Sequence, residues 1–361
     1  DLRRLVGSAE ERARQGDAGP LTVDYRNLGR AGLKVSEICL GTMTFGNGAD
    51  QAEASRMVDT ALAAGVNFFD TANSYVGGTS ETMLGEALKG KRHEAVIASK
   101  VFNPMGHRPN DSGMSRLHIK QQIEGILKRL QTDYVDLFFI HHVDHQTPLE
   151  EMLRAFDDLV REGKVLYTAC SNFEAWRLME SLWLSDVHGW ERFACYQPQY
   201  SLVVRDIDEE IVPVLKLKGL GCVAWSPLGS GYLTGKYTPG SLKVQGSRSA
   251  EGWGFQSRFF APNHAEILQS LLDTAKEIGR TPAQTALRWV MDQPFMTSAI
   301  VGARNAEQLK ETLQAGGWRL PQAALEKLNK VSVQPHKYPR AFEDPMPARR
   351  EQAVKMPGMK S

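Results

Sequence analysis

DYVDLFFIHH (133–142), PLEEMLRAFDDLVREG (148–163) and KVLYTACSN (164–172) carry the reading of the fold. The first and third are short apolar runs of the kind that form strands buried on both faces of a parallel sheet. The segment between them repeats apolar residues at helical spacing. Strand, helix and strand in succession imply parallel pairing through a right-handed crossover.

The same unit recurs on either side. SEICLGT (36–42) precedes the amphipathic stretch QAEASRMVDTALAAG (51–65), and VNFFDT (66–71) precedes TSETMLGEALKG (79–90). EAVIASK (94–100) leads to a helix near 115–131, and the run at 164–172 to one near 173–184. RFACYQ (192–197) leads to DIDEEIVPVLKLKG (206–219), GCVAWSP (221–227) is a seventh run, and TSAIVGA (297–303) with NAEQLKETLQAG (305–316) is the eighth. Eight such units, the first seven spaced by roughly 25–40 residues, predict an α/β chain folded as a closed (β/α)8 TIM barrel. A doubly wound sheet fits less well, because the dinucleotide fingerprint of an early strand and G-x-G-x-x-G is absent. The nearest string, GSGYLTGK (229–236), has the wrong glycine spacing and comes late.

Three segments interrupt the alternation. YRNLGRAGLKVS (25–36) reads as an N-terminal β-hairpin. Residues 102–114 and 228–262 are long loops after the third and seventh strands. Both leave the strand C-termini, the face on which barrels build their sites. In TPAQTALRWVMDQP (281–294), Thr281 is placed to cap a helix and Pro282 to start it. Residues 23–331 are therefore expected to form the barrel. Residues 1–22 are read as a peripheral extension, and 332–361 as a tail that packs on the surface or is partly disordered.

With 43 basic and 42 acidic side chains the formal charge is +1, which gives no general attraction to nucleic acid or anionic lipid. No apolar run reaches the ~18 residues of a membrane span. Cys39, Cys170, Cys195 and Cys222 each sit in an apolar run, with neither Cys-x-x-Cys pairing nor zinc-type histidine spacing. Buried reduced thiols, a cytoplasmic setting and no metal are expected.

Polar residues end several of the strands. Asp70 ends the second, Tyr75 follows in the next loop, Lys100 ends the third and His141 the fourth. Each has an ordinary use in capping, packing or solvation. Together, at consecutive strand ends of a barrel, they converge on one mouth. A lysine cation beside a tyrosine favours the phenolate and lowers the phenol's pKa, Asp70 would hold Lys100 charged, and His141 would orient a carbonyl oxygen.

With these residues in view, YRNLGRAGLKVSEICLGTMTFG (25–46), FFDTANSYVGGTSETMLGEAL (68–88), ASK (98–100), DLFFIH (136–141), CSNF (170–173), YQPQYSL (196–202) and WSPLGSGYLTGKY (225–237) resemble the aldo-keto reductases in order and spacing. The match spans residues 23–316. Its branch is the one that includes bacterial members and potassium-channel β subunits. The resemblance implies a barrel that binds a nicotinamide cofactor without a Rossmann domain. It makes Asp70, Tyr75, Lys100 and His141 the catalytic four; His141 fits better than His142 because it directly follows the aliphatic residue of DL-x-x-I.

For the cofactor, the resemblance implies Gly41, Thr42 and Met43 near the nicotinamide ribose. Ser171, Asn172 and Gln197 meet the carboxamide, and Trp225 stacks on the ring. Ser226, Pro227, Leu228, Gly229 and Gly231 border the pyrophosphate, with Lys236 close by. Gly302, Ala303 and Arg304, with Gln308 and Glu311, form the adenosine end. Arg304, with Arg248 as a second candidate, would meet a 2′-phosphate, so NADPH is expected ahead of NADH. Thr312 departs from the asparagine usual there. Met43, Tyr75, His141, His142, Trp253, Phe255 and Phe259 are the candidates for contact with a small-molecule carbonyl substrate. Two alternatives stand beside the reductase: an NADPH-binding regulatory subunit with little turnover, and an aldolase-type barrel with Lys100 as a Schiff base. The natural substrate and oligomeric state are not readable.

Overall fold

The computed structural model describes residues 23–239, 260–344 and 346. Strands β1 (Tyr25–Asn27) and β2 (Lys34–Ser36) form an antiparallel hairpin. The barrel strands are β3 (Ile38–Gly41), β4 (Phe68–Asp70), β5 (Val96–Val101), β6 (Val135–Ile140), β7 (Val165–Ser171), β8 (Phe193–Gln197), β9 (Gly221–Ala224) and β10 (Ser298–Val301). Each pairs in parallel with the next, and β10 returns to β3 to close the ring.

Helices cover the outside: α1 (Gln51–Ala63), α2 (Thr79–Ala87), α3 (Arg116–Leu130), α4 (Leu149–Arg161), α5 (Ala175–His188), α6 (Ile211–Lys218), α7 (His264–Glu277), α8 (Pro282–Met291), α9 (Ala306–Leu313), α10 (Gln322–Ser332) and α11 (Arg340–Glu343). In α4, Leu149, Met152, Leu153, Phe156 and Leu159 are buried, so the spacing of three and four does lay one apolar stripe on the barrel. Thr281 and Gln284 form a capping box with Pro282 at the helix start, as the sequence suggests. Besides the four-residue α11, two helices, α7 and α10, belong to no strand–helix unit read from the sequence. The first follows a stretch of sequence rich in Gly and Ser, and the second buries only Ala324, Leu328 and Ser332, too narrow a stripe to mark it.

Two apolar layers result. One lies between strands and helices. The other fills the barrel with Cys39, Phe68, Ala98, Leu137, Phe139, Ala169, Cys195 and Val223, and the hairpin adds Leu28 and Val35 to its floor. Gly29 lets the hairpin approach β9: its φ is +59°, and a Cβ there would lie 2.3 Å from the Gly221 nitrogen. All four cysteines are buried and unpaired, and burial raises the thiols above their ordinary range. Among the described residues no helix is long and apolar enough to cross a membrane. Beyond α10, Lys337 and Arg340 hydrogen-bond to Glu209, which lays the described part of the tail along the loop before α6.

A buried ionic knot ties the hairpin to the barrel. Glu37 takes a two-pronged hydrogen bond from Arg288 at 3.0 and 2.9 Å, one from Arg26 at 2.9 Å and one from the Gly317 nitrogen at 3.1 Å. Burial alone would push the Glu37 carboxyl up; Arg288, the Gly317 amide and Arg26 together outweigh it, and the net direction is down. Removing Arg288, the one fully buried cation of the knot, leaves the buried Glu37 carboxylate with only the partly exposed Arg26 and Arg319 to balance it. Arg288→Met is expected to cost about 3–5 kcal/mol, and Glu37→Met/Arg288→Met together less than either alone. Denaturant midpoints for the three variants check this; a double variant worse than both singles would count against the knot as described.

Candidate active site

Successive side chains along a strand point to opposite faces, so the residue two positions beyond an inward-facing one also faces inward. This rule takes six of the eight barrel strands from an apolar lower layer to a rim that carries polar groups. Phe68 is followed by Asp70, Ala98 by Lys100, Phe139 by His141, Ala169 by Ser171, Cys195 by Gln197 and Val223 by Trp225. His141 and Trp225 continue the backbone pattern just past their strands through His141 N to Val101 O at 3.1 Å and Trp225 N to Pro198 O at 2.8 Å.

Lys100 is 0% exposed and Asp70 2%. The Lys100 ammonium donates to Asp70 Oδ1 at 2.5 Å and to the Thr71 carbonyl at 2.8 Å, and Gln197 Nε2 donates to Asp70 Oδ2 at 2.9 Å. Burial works against the cation, but Asp70 and Tyr75 together outweigh it and the Lys100 pKa is raised. Tyr75 lies beside this pair, its ring centroid 5.2 Å from the ammonium. Lys100 pulls the phenol downward, as its charge demands. Burial outweighs that pull, Asp70 reinforces burial, and the net direction is up, opposite to the reading from charge alone.

His141 meets the Tyr75 ring edge-on at 6.0 Å and stacks on His142 at 4.4 Å; His142 meets Phe102 edge-on at 5.3 Å. Burial, then Lys100 and His142, hold the His141 imidazole well below its ordinary range, and burial with Lys100 lowers His142. Asn103 Nδ2 lies 3.4 Å from His141 Nδ1 and 3.2 Å from Ser74 Oγ. The mouth is thus an aromatic wall of neutral rings around one buried cation.

The opposite side carries amides and hydroxyls. Asn172 Nδ2 donates to the His141 carbonyl at 3.0 Å and to Ser171 Oγ at 2.9 Å; its Oδ1 accepts from the Trp225 indole at 3.1 Å. Ser171 Oγ donates to the Gln197 carbonyl at 2.7 Å. Asn172 and Ser226 sit at positive φ, where a non-glycine side chain is disfavoured. After β9, Pro227 and Gly229 are buried and Leu228 is half-buried, while Gly231, at φ +95°, has nothing within 4 Å of where a Cβ would be. Lys236 is exposed nearby in sequence.

After β3, Gly41 is required by Ile300, whose side chain would lie 2.7 Å from a Cβ. Thr42 is buried and bonded to the Asp70 carbonyl, and Met43 is 37% exposed. Thr44 Oγ1 reaches the Ala303 carbonyl at 2.7 Å. Gly302 and Arg304 are exposed where β10 leads into α9, whose first turn is capped by Asn305; Gln308 accepts from the Arg304 nitrogen at 3.0 Å. Glu311 is exposed further along α9. Arg248, Trp253, Phe255 and Phe259 lie outside the described residues. Among the described residues, no cluster of His, Cys, Asp or Glu could hold a metal ion.

Two features escaped the sequence reading. Asn103 was hidden in a loop whose path has no periodic signal. Glu81 was hidden because a buried acid inside a helix looks like any other helical glutamate. Glu81 accepts from Ser99 Oγ at 2.5 Å and from Arg129 Nε at 2.7 Å, and Arg129 lies against Gly78 in the turn that carries Tyr75. That turn is left-handed at Val76, Gly77 and Gly78.

A match to the Aldo/keto reductase family model covers residues 37–333. The chain is 38% identical over 321 residues to "Uncharacterized oxidoreductase YrpG" of Bacillus subtilis (strain 168), covering 86% of this chain and 96% of that one. A "Probable voltage-gated potassium channel subunit beta" of Oryza sativa subsp. japonica is 35% identical over 299 residues, covering 81% and 91%. "Norsolorinic acid reductase" of Aspergillus flavus is 31% identical over 330 residues, covering 86% and 81%.

A Cβ on Gly78 would sit 2.7 Å from Arg129 Cδ at φ +93°. Gly78→Ala is therefore expected to push Arg129 off Glu81, costing about 1–3 kcal/mol. A thermal melt unchanged by Gly78→Ala would show that this turn is not held by Arg129.

Proposed function

The chain belongs to the aldo/keto reductase family and is an oxidoreductase, and from that premise we propose that it reduces an aldehyde or ketone to the alcohol, with NADPH preferred to NADH. The observation that carries the reading is the buried Lys100–Asp70 pair set against Tyr75 and a neutral His141. A phenol with a raised pKa keeps its proton at neutral pH, so Tyr75 has a proton to give. Lys100 places positive charge where an alkoxide would develop, in a site that solvent does not screen. His141 holds the carbonyl oxygen beside both. A protonated, ion-paired lysine is a poor nucleophile, which disfavours a Schiff base on Lys100.

The rim residues fit a nicotinamide cofactor. Gln197 spends its Nε2 on Asp70, leaving Oε1 as an acceptor for a carboxamide. Trp225 offers a flat ring fixed by Asn172. The open backbone at Gly231 leaves room for a pyrophosphate, and Arg304 at the exposed start of α9 suits a 2′-phosphate. When bound, such a cofactor supplies the hydride. The neutral rings of Phe102 and His142, with Trp225 across the mouth from them, favour apolar or aromatic carbonyl compounds. The similarity to channel β subunits favours a second reading, in which the chain binds NADPH and regulates a partner with little turnover.

Following the loss of reduced-nicotinamide absorbance over a panel of aldehydes and ketones tests this. Tyr75→Phe should lower kcat by about 100-fold or more. The Tyr75 proton is present below the folded pKa and lost as pH rises through it. With that pKa raised, kcat should stay flat through neutrality and fall only above about pH 10. Tight NADPH binding without turnover would move the regulatory reading ahead. Wild-type rates in Tyr75→Phe would remove the tyrosine from the reaction.

A further inference from the structure

Asn103 sits where β5 gives way to the loop that walls the mouth. Its position is fixed from both sides. Pro104 follows it and restricts the backbone conformations open to it. The Phe102 carbonyl is tied to the Gly113 nitrogen at 2.8 Å, which closes the base of the loop. A primary amide has two N–H hydrogens. In Asn103 they meet two groups, Ser74 Oγ at 3.2 Å and His141 Nδ1 at 3.4 Å. One side chain therefore spans the residue before Tyr75 and the ring of His141.

The His141 ring has little freedom to turn away. Its backbone N–H is bonded to Val101, its carbonyl to Asn172, and its faces and edges are packed by His142 and Tyr75. In a neutral imidazole one nitrogen carries the proton and the other accepts. If Nδ1 accepts from an amide, the proton is on Nε2.

We infer that Asn103 is a positioning residue that fixes His141 as the Nε2–H tautomer. Resting on the reductase reading, this makes His141 a hydrogen-bond donor to the carbonyl oxygen instead of a lone pair that repels it. The titratable and charged groups facing His141 are Lys100 on β5, Tyr75 on the turn before α2, and His142 beside it. None of them is a carboxylate that would hold a proton on Nδ1.

Asn103→Asp tests the assignment with almost no change in shape. A carboxylate accepts from Nδ1–H and raises the ring's pKa. At pH 6 the imidazolium still presents Nε2–H. As pH rises through the raised pKa, the proton leaves Nε2 and the donor is lost. We expect kcat of Asn103→Asp to fall by about tenfold or more between pH 6 and pH 8, with a flat wild-type profile and an unchanged KM for NADPH. In the full chain labelled with 15N-histidine, the His141 pair is identified by its loss in His141→Gln. The wild type should show an unprotonated Nδ1 and a protonated Nε2, and Asn103→Asp a protonated Nδ1. A protonated Nδ1 in the wild type, or a flat profile in Asn103→Asp, would overturn the assignment. If the wild type turned over no carbonyl compound, the reductase reading would fall, while the nitrogen shifts would still decide the tautomer.

Discussion

Lys100 puts a cation in the barrel where it has no exposed surface, and the rest of the mouth is arranged around that cost. A buried ammonium is tolerated only with a counter-charge and enough acceptors. Asp70 and the Thr71 carbonyl come from the second barrel strand and the residue after it, and Gln197 from the sixth strand completes Asp70. The pair therefore binds three strands and fixes the field that Tyr75 and His141 experience. Burial and charge act on Tyr75 in opposite directions, and burial prevails; on His141 they act together. The result is a protonated phenol and a neutral imidazole side by side at neutral pH.

The barrel below supplies rigidity. The hairpin carries Leu28 and Val35 into the floor, and the Glu37 knot joins hairpin, β3 and α8 beneath the strands. Strain gathers at the other end. Of the five non-glycine residues at positive φ among those described, Val76, Asn172, Ser226 and Ser230 lie in loops at the mouth, and only Gln131 is a helix cap. Such conformations persist where the surroundings over-determine them, and they cluster where groups must be aimed.

Much of this was legible in the sequence. Continuous apolar runs such as 137–140 announce a strand buried on both faces, and the helical spacing of 149–159 announces its cover. Asp70, Lys100 and His141 could be picked out because period-two alternation turns the next inward residue polar at a strand end. What could not be read depends on side chains meeting across the sequence. The Glu81–Arg129 contact joins residues 48 apart. Asn103 reaches His141 only once the loop is folded. The direction of the Tyr75 pKa needed the depth of its burial, which charge pattern alone does not give. The helices α7 and α10 were obscured by the Gly- and Ser-rich sequence before one and the narrow buried stripe of the other.

The proposed reductase would hold a carbonyl carbon against one face of a reduced nicotinamide at this mouth, with Trp225, fixed by Asn172, behind it. The most direct measurement is a reduction run separately with NADPH deuterated on each face of C4, with deuterium in the alcohol read by mass spectrometry. The account predicts deuterium on the carbinol carbon from one face only. Deuterium from both faces, or from neither while the carbonyl is consumed, would contradict it.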